Sequence, residues 1–229
     1  MKLYPLLFIN EGQEVFGSNA FSQGFVCLKV PSDEMIVIFN PERFMAAYEQ
    51  NNDSEMAAAV RGYIRYRIED YVQPSWACSE KGWGPLLYQA LMKLVSPKWL
   101  MSDESLSGNA AKVYNAMYKL PNLYNRKWVG NVSSRYECLQ TNKIPQLQNY
   151  PEDEIENEEQ FLEYLQRVGV DPSQTGCFWA YKKKTHEPAI VSMFKAGNNF
   201  ASQQGLEVVE KLADICKTTF NSTQECQTR

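Results

Sequence analysis

Cys78-Ser79-Glu80-Lys81-Gly82-Trp83-Gly84-Pro85-Leu86-Leu87-Tyr88 is the stretch on which the reading of this chain turns. Upstream of it, residues 71–78 have strand composition and lead straight into two glycines one residue apart. Downstream, Leu86, Leu87, Ala90, Leu91 and Leu94 recur at helical spacing and predict a helix over residues 85–95 with one apolar face. A glycine turn that opens a helix presents backbone N–H groups without intrahelical acceptors, backed by the positive end of the helix dipole. That is the chemistry of an anion site, and phosphate is its usual guest. The turn therefore predicts a phosphate-bearing cofactor or substrate.

On the N-terminal side, residues 60–68 carry Val60, Tyr63, Ile64, Tyr66 and Ile68 and read as a strand. Pro74 cannot donate to a ladder, so the strand over 71–78 is expected to be bulged or locally unpaired there. Residues 25–30 and 35–39 read as two strands joined by a turn over 31–34. Asn40-Pro41-Glu42 then reads as a helix start, with Asn as the cap and Pro in the first turn. That helix passes Phe44, Met45 and Tyr48, breaks over 50–54 and resumes over 55–59. Residues 1–10 are apolar and strand-like, too short for a secretory signal.

On the C-terminal side, residues 99–101 read as a short strand and 107–119 as a helix with Ala110, Val113, Tyr114 and Met117 on one face. Residues 122–148 show no clear period, with a strand expected near 132–139. A helix is expected over 152–168, with Phe161, Leu162, Tyr164 and Leu165 inward, then a strand over 178–182. Residues 188–195 fit a strand or a short helix, and 206–219 form a closing helix. The order of elements is that of a mixed α/β (α+β) fold.

The chain has 229 residues, 44% hydrophobic and 22% charged, which is enough to bury a substantial core. Its 23 Lys and Arg face 27 Asp and Glu, a net charge of -4, so nucleic acid is not an expected partner. No apolar run approaches the roughly 18 residues of a membrane span, and no membrane association is expected. The six cysteines contain no Cys-x-x-Cys and the one histidine is His186, so no metal is expected. Free thiols in a reducing cytoplasm are the simplest reading. Lys182, Lys183 and Lys184 read as a solvated face and His186 as a surface residue.

At Gly82-Trp83-Gly84 the chain resembles motif A of the GNAT superfamily of N-acetyltransferases, whose pyrophosphate loop follows Gln/Arg-x-x-Gly-x-Gly/Ala between a strand and a long helix. Gly82 and Gly84 match the two glycines, while Ser79 stands where Gln or Arg is usual. The family's motif B, Asn-x-x-Ala-x-x-x-Tyr, is similar to the run from Ser107 to Tyr114, with Ala110 and Tyr114 matching and Ser107 in place of Asn. The resemblance covers about residues 55 to 120, and the combination is similar to a group of phage-encoded GNAT-like proteins.

The resemblance implies a GNAT-like mixed central sheet flanked by helices, an acyl-CoA-binding core over residues 1–120 and a C-terminal extension over 121–229 that completes the sheet and covers the acceptor side. It implies acetyl-CoA, or another acyl-CoA, as cosubstrate and a primary amine on a small molecule or protein as acceptor. The backbone of Trp76, Ala77 and Cys78 would pair with the pantetheine amides. Ser79, Lys81, Gly82, Trp83, Gly84, Pro85 and Leu86 would hold the pyrophosphate, with Ser107 and Ala110 completing the cofactor site. Tyr114 would protonate the leaving thiolate, a reasonable match of a phenol near 10 to a thiol near 8.5. Glu69, with Asp70 beside it, would take the proton of the amine. A cytoplasmic location follows, that of the host if the chain is phage-encoded, and a homodimer is compatible.

Each of these residues also has a plainer reading. The glycines fit a tight turn before a core helix. Tyr114 fits a packed aromatic, and Glu69 and Asp70 fit solvated charge at a strand end. The rival function is a catalytically degenerate GNAT-fold binding protein acting on a host partner. A self-associating structural protein is a second rival.

Overall fold

The computed structural model describes residues 24–30, 33–102, 106–129, 145–147, 154–184 and 203–223. The strands expected over 1–10 and near 132–139, the segment 188–195, and His186, Cys138 and Cys226 lie outside the described residues. The fold is α+β, and the chain divides into two compact units that interleave along the sequence.

The first unit takes residues up to Tyr66, Ser75–Leu94 and Thr185–Cys226. It begins with β1 (Val26–Val30) and β2 (Met35–Phe39), paired antiparallel from Val26↔Phe39 to Val30↔Met35. Every residue of β2 is buried, as expected of a central strand covered on both faces. Helix α1 (Pro41–Glu49) starts as Asn40-Pro41 demands, the Asn40 carboxamide accepting from the Arg43 N–H at 3.0 Å. Asn52 caps α2 (Asp53–Ala59) in the same way. Each such cap is worth about 1 kcal/mol. Strand β3 (Val60–Ile68) pairs antiparallel with β2, and β4 (Val72–Ser79) lies beside β3.

Helix α3 (Gly84–Leu94) follows the glycine turn and packs on β2. The sequence predicted one apolar face, but all residues from Leu86 to Met92 are buried, Tyr88 and Gln89 included. A helix enclosed on nearly every side loses the amphipathic pattern. The last helix of the unit follows at Gln203–Ile215 and runs into a π-helical turn, Cys216–Phe220, with both packed on α2. Phe220 stands 6.4 Å from the Tyr63 ring, and Lys211 pairs with Asp53 at 2.9 Å.

The second unit takes Arg67–Pro74 and Val95–Lys184. Its sheet is centred on Leu100, a single bridging residue where a short strand was expected. Leu100 lies parallel to Val72 and antiparallel to Tyr181. Helix α4 (Gly108–Tyr118) comes next, then β5 (Tyr124–Trp128), which pairs antiparallel with β6 (Trp179–Lys183). Between these strands run α5 (Glu158–Val168) and a 3-10 segment, Pro172–Phe178.

Helix α5 begins six residues after the expected start because Asn157 caps it, accepting from Gln160 N–H, while the Gln160 side chain accepts from Glu156 N–H at 2.8 Å. Gly169, at φ 70°, ends it. Phe161, Tyr164 and Leu165 are buried as expected, whereas Leu162 is only half-buried.

Two cysteines depart from the free-thiol expectation: Cys78 and Cys177 each take part in a disulfide. Cys27 and Cys216 are free and buried. Among the described residues no helix is long and apolar enough to cross a membrane.

Candidate functional site

Strand β4 delivers Trp76 and Ala77 half-buried, Cys78 buried and Ser79 half-buried to the start of the turn. There the Glu80 carbonyl accepts from the Trp83 N–H at 3.1 Å, closing a four-residue turn. Gly82, its third residue, has φ +90°, a left-handed conformation that glycine adopts at no steric cost. Gly84 is different. A Cβ there would meet only the Ser79 Oγ at 3.4 Å, an ordinary contact. The two glycines of the pattern therefore differ in kind: the first is required by the backbone, and the second leaves space.

The Trp83 carbonyl accepts from Leu86 N–H at 3.1 Å and Leu87 N–H at 3.3 Å and so opens α3, while Pro85 has no N–H to satisfy. Among the described residues, the N–H groups of Lys81, Gly82 and Gly84 have no hydrogen-bond partner. Lys81 and Gly82 are exposed. Three unengaged donors at the N-terminus of an eleven-residue helix can hold an anion.

The frame of this turn comes from β3. Ile38 pairs with Gly62 but Phe39 pairs with Val60, so Arg61 is the extra residue of a β-bulge. Its Nη1 donates to the carbonyls of Ala58 (3.0 Å) and Val60 (3.1 Å) and to the Glu80 carboxylate (2.8 Å). The Glu80 N–H in turn donates to the Arg61 carbonyl at 2.9 Å. The guanidinium lies 4.6 Å from the Phe25 ring centroid, and the half-buried Trp83 ring meets Phe25 edge-on at 5.1 Å. Gly62 lets β4 approach, since a Cβ there would stand 2.7 Å from the Ser79 Cβ. Arg61, Gly62 and Phe25 were not singled out from sequence. A bulge leaves no periodic mark, and Phe25 is nearly sixty residues from its ring partner. Trp76 faces the Tyr63 phenol, which burial pushes up to about 12.

The remaining expected residues fall in the second unit. Ser107 is the N-cap of α4, its hydroxyl accepting from the Ala110 N–H at 3.2 Å. Ala110 is half-buried and Ala111 takes the core position instead. Tyr114 is fully buried, with its hydroxyl donating to the Met101 carbonyl at 3.2 Å. Beside it the 3-10 segment touches the α4 backbone. A Cβ on Gly176 would lie 2.4 Å from the Tyr114 carbonyl carbon, and the Gly176 N–H donates to the Asn115 side chain at 2.9 Å.

Glu69 and Asp70 are exposed in the turn between β3 and β4. The Glu69 N–H donates to the Tyr71 carbonyl and its own carbonyl accepts from Lys98 Nζ. All eight residues of β4 separate this turn along the chain from the one after Ser79. Among the described residues no group of three His, Cys, Asp or Glu could hold a metal ion.

No family model, no curated protein and no solved structure matches this chain.

Proposed function

We propose that the chain is an acyltransferase that moves an acetyl or other short acyl group from acyl-CoA to a primary amine. The observation that carries this reading is the turn from Glu80 to Trp83, where left-handed Gly82 feeds β4 into α3 and leaves three backbone N–H groups without partners. The chain order supports it. After α3 the backbone returns as a parallel neighbour of β4 at Val72↔Leu100, a strand–turn–helix–strand unit of the kind that places anions at the helix start. The Arg61–Glu80 ion pair supports it too, since it neutralises the one carboxylate of the turn.

In this reading Lys81, Gly82 and Gly84 N–H groups hold the pyrophosphate and the backbone of Trp76 to Cys78 meets the pantetheine amides. The amine attacks the thioester directly, and the proton it gives up balances the one the departing CoA thiolate takes on. The protein contributes position and oriented dipoles.

A second reading, a GNAT-fold binding protein without catalysis, is favoured by one specific observation: the Tyr114 hydroxyl is buried and already donates to the Met101 carbonyl.

Calorimetric titration with acetyl-CoA, and with CoA, tests the first reading. Micromolar binding that is lost in Gly82→Val and kept in Gly84→Ala supports the turn as a phosphate site. Absence of binding at millimolar ligand removes it. Turnover of an amine by the wild type separates the two readings.

A further inference from the structure

Strands β5 and β6 of the second unit place two tryptophans directly opposite each other, Trp128 and Trp179. The neighbouring residues Val129 and Phe178 are joined by a backbone hydrogen bond of 2.9 Å. Pairs alternate along an antiparallel ladder, so Trp128 and Trp179 form the non-hydrogen-bonded kind, whose side chains stand closest and on one face. Both indole Nε1–H groups are shut off from solvent and, among the described residues, neither has an acceptor. An indole nitrogen can only donate, and native folds seldom leave buried donors unmet.

The surroundings define what would meet them. The Phe161 ring lies 5.8 Å from Trp128 and 6.2 Å from Trp179, and Tyr118 lies 5.3 Å from Trp179. Arg126 precedes Trp128 by two residues and so shares its face of the ladder. Its guanidinium sits 4.0 Å from the Tyr118 ring and 5.3 Å from the Trp179 ring, with one nitrogen donating to the Tyr118 carbonyl at 3.3 Å. Arg126 is exposed while Trp179 is fully buried, so the donors run inward from the surface.

We propose that this face binds a small planar carboxylate. The carboxylate accepts from the indole N–H groups and meets the guanidinium charge, and its flat body lies among the rings. A trapped water could satisfy the indoles but would make no use of the guanidinium or the rings. The site is independent of the acyl-transfer reading and of the turn after β4.

Benzoate is the probe, with benzyl alcohol as its neutral counterpart. The readout is the indole N–H resonances of the folded chain in a proton–nitrogen correlation spectrum. They are assigned by Trp128→Phe and by Trp→Phe at 76, 83 and 99, which leaves Trp179. The expected result is that both the Trp128 and Trp179 resonances move and saturate with benzoate. Benzyl alcohol should leave them in place, and Arg126→Met, at an exposed position, should weaken the titration by about tenfold or more while the spectrum stays dispersed. The proposal is overturned if either resonance stays fixed at the highest benzoate reached. It is equally overturned if benzyl alcohol or the Arg126→Met protein gives the same shifts, which would leave water as the occupant.

Discussion

At the turn from Glu80 to Gly84 side chains hold the frame and backbone donors stand unengaged. At Tyr114 the arrangement is reversed: the backbone of the 3-10 segment presses against the helix, and the side-chain hydroxyl is already engaged by Met101. One family resemblance pointed to both places, yet they answer to different physics. The first is built around a conformation that only glycine tolerates well, and its polar groups remain available. The second is built around close packing, and its polar group is satisfied internally. A binding role follows naturally from the first arrangement, whereas a proton-transfer role at the second needs Tyr114 to exchange one hydrogen bond for another.

The most damaging change should fall on the packed region. Gly176→Ala puts a methyl 2.4 Å from the α4 backbone, and a backbone neighbour cannot rotate away. A loss of about 3 kcal/mol or more is expected from the urea midpoint. A loss below about 1 kcal/mol would show that this contact yields and that the contrast is overdrawn.

At the turn the larger effect should be on binding. Gly82→Val is expected to weaken acetyl-CoA binding by at least about tenfold and to cost about 1–2 kcal/mol of stability, the usual strain of a left-handed residue. Gly84→Ala should leave both nearly unchanged, and equal losses at the two glycines would erase the difference drawn between them.

Tyr114→Phe is expected to cost about 1 kcal/mol, because it removes the donor that meets a buried carbonyl. If the hydroxyl also delivers a proton, turnover falls while CoA affinity holds, and unchanged turnover would reduce Tyr114 to packing.

The smallest effect should appear at high pH. Burial pushes the Cys27 thiol from 9.0 up to about 12. Its folded value is raised, so its contribution to stability is complete below pH 9 and is lost as pH rises through about 12. Comparing wild type with Cys27→Ser by chemical denaturation at pH 8 and pH 11 should show a shallower alkaline decline in the variant. Parallel declines would mean the thiol is less well shielded than the first unit's core suggests.

Much of the first unit could be read from the chain because its signals are local. Asn40-Pro41 fixes a helix start through one side-chain oxygen and one ring, and the uninterrupted apolar run of β2 marks a strand buried on both faces. The turn at Gly82 is legible for the same reason. What escaped was set by partners distant in sequence. Strand β5 reads Tyr-Asn-Arg-Lys-Trp, with its three middle residues exposed, and only pairing with β6 makes it a strand. The start of α5 was misplaced because acidic residues before Asn157 fit a first turn as well as those after it. Arg61 escaped because a bulge is a property of two strands together. The state of Cys78 and Cys177 escaped because wide spacing records nothing about pairing. Of the candidate site, the anion turn was visible in the sequence, while the engagement of Tyr114 and Ser107 required knowing what lay beside them.

The π-helical turn has a consequence for how the chain acquires its shape during synthesis. Lys217 in that turn pairs with Asp33, a partner 184 positions earlier, and Phe220 covers Tyr63. Strands β1 to β3 therefore leave the ribosome long before the segment that shields them has been translated. Contacts this distant in sequence close slowly and leave apolar strands exposed in the interval. The core of the first unit is thus closed only once residue 220 has emerged.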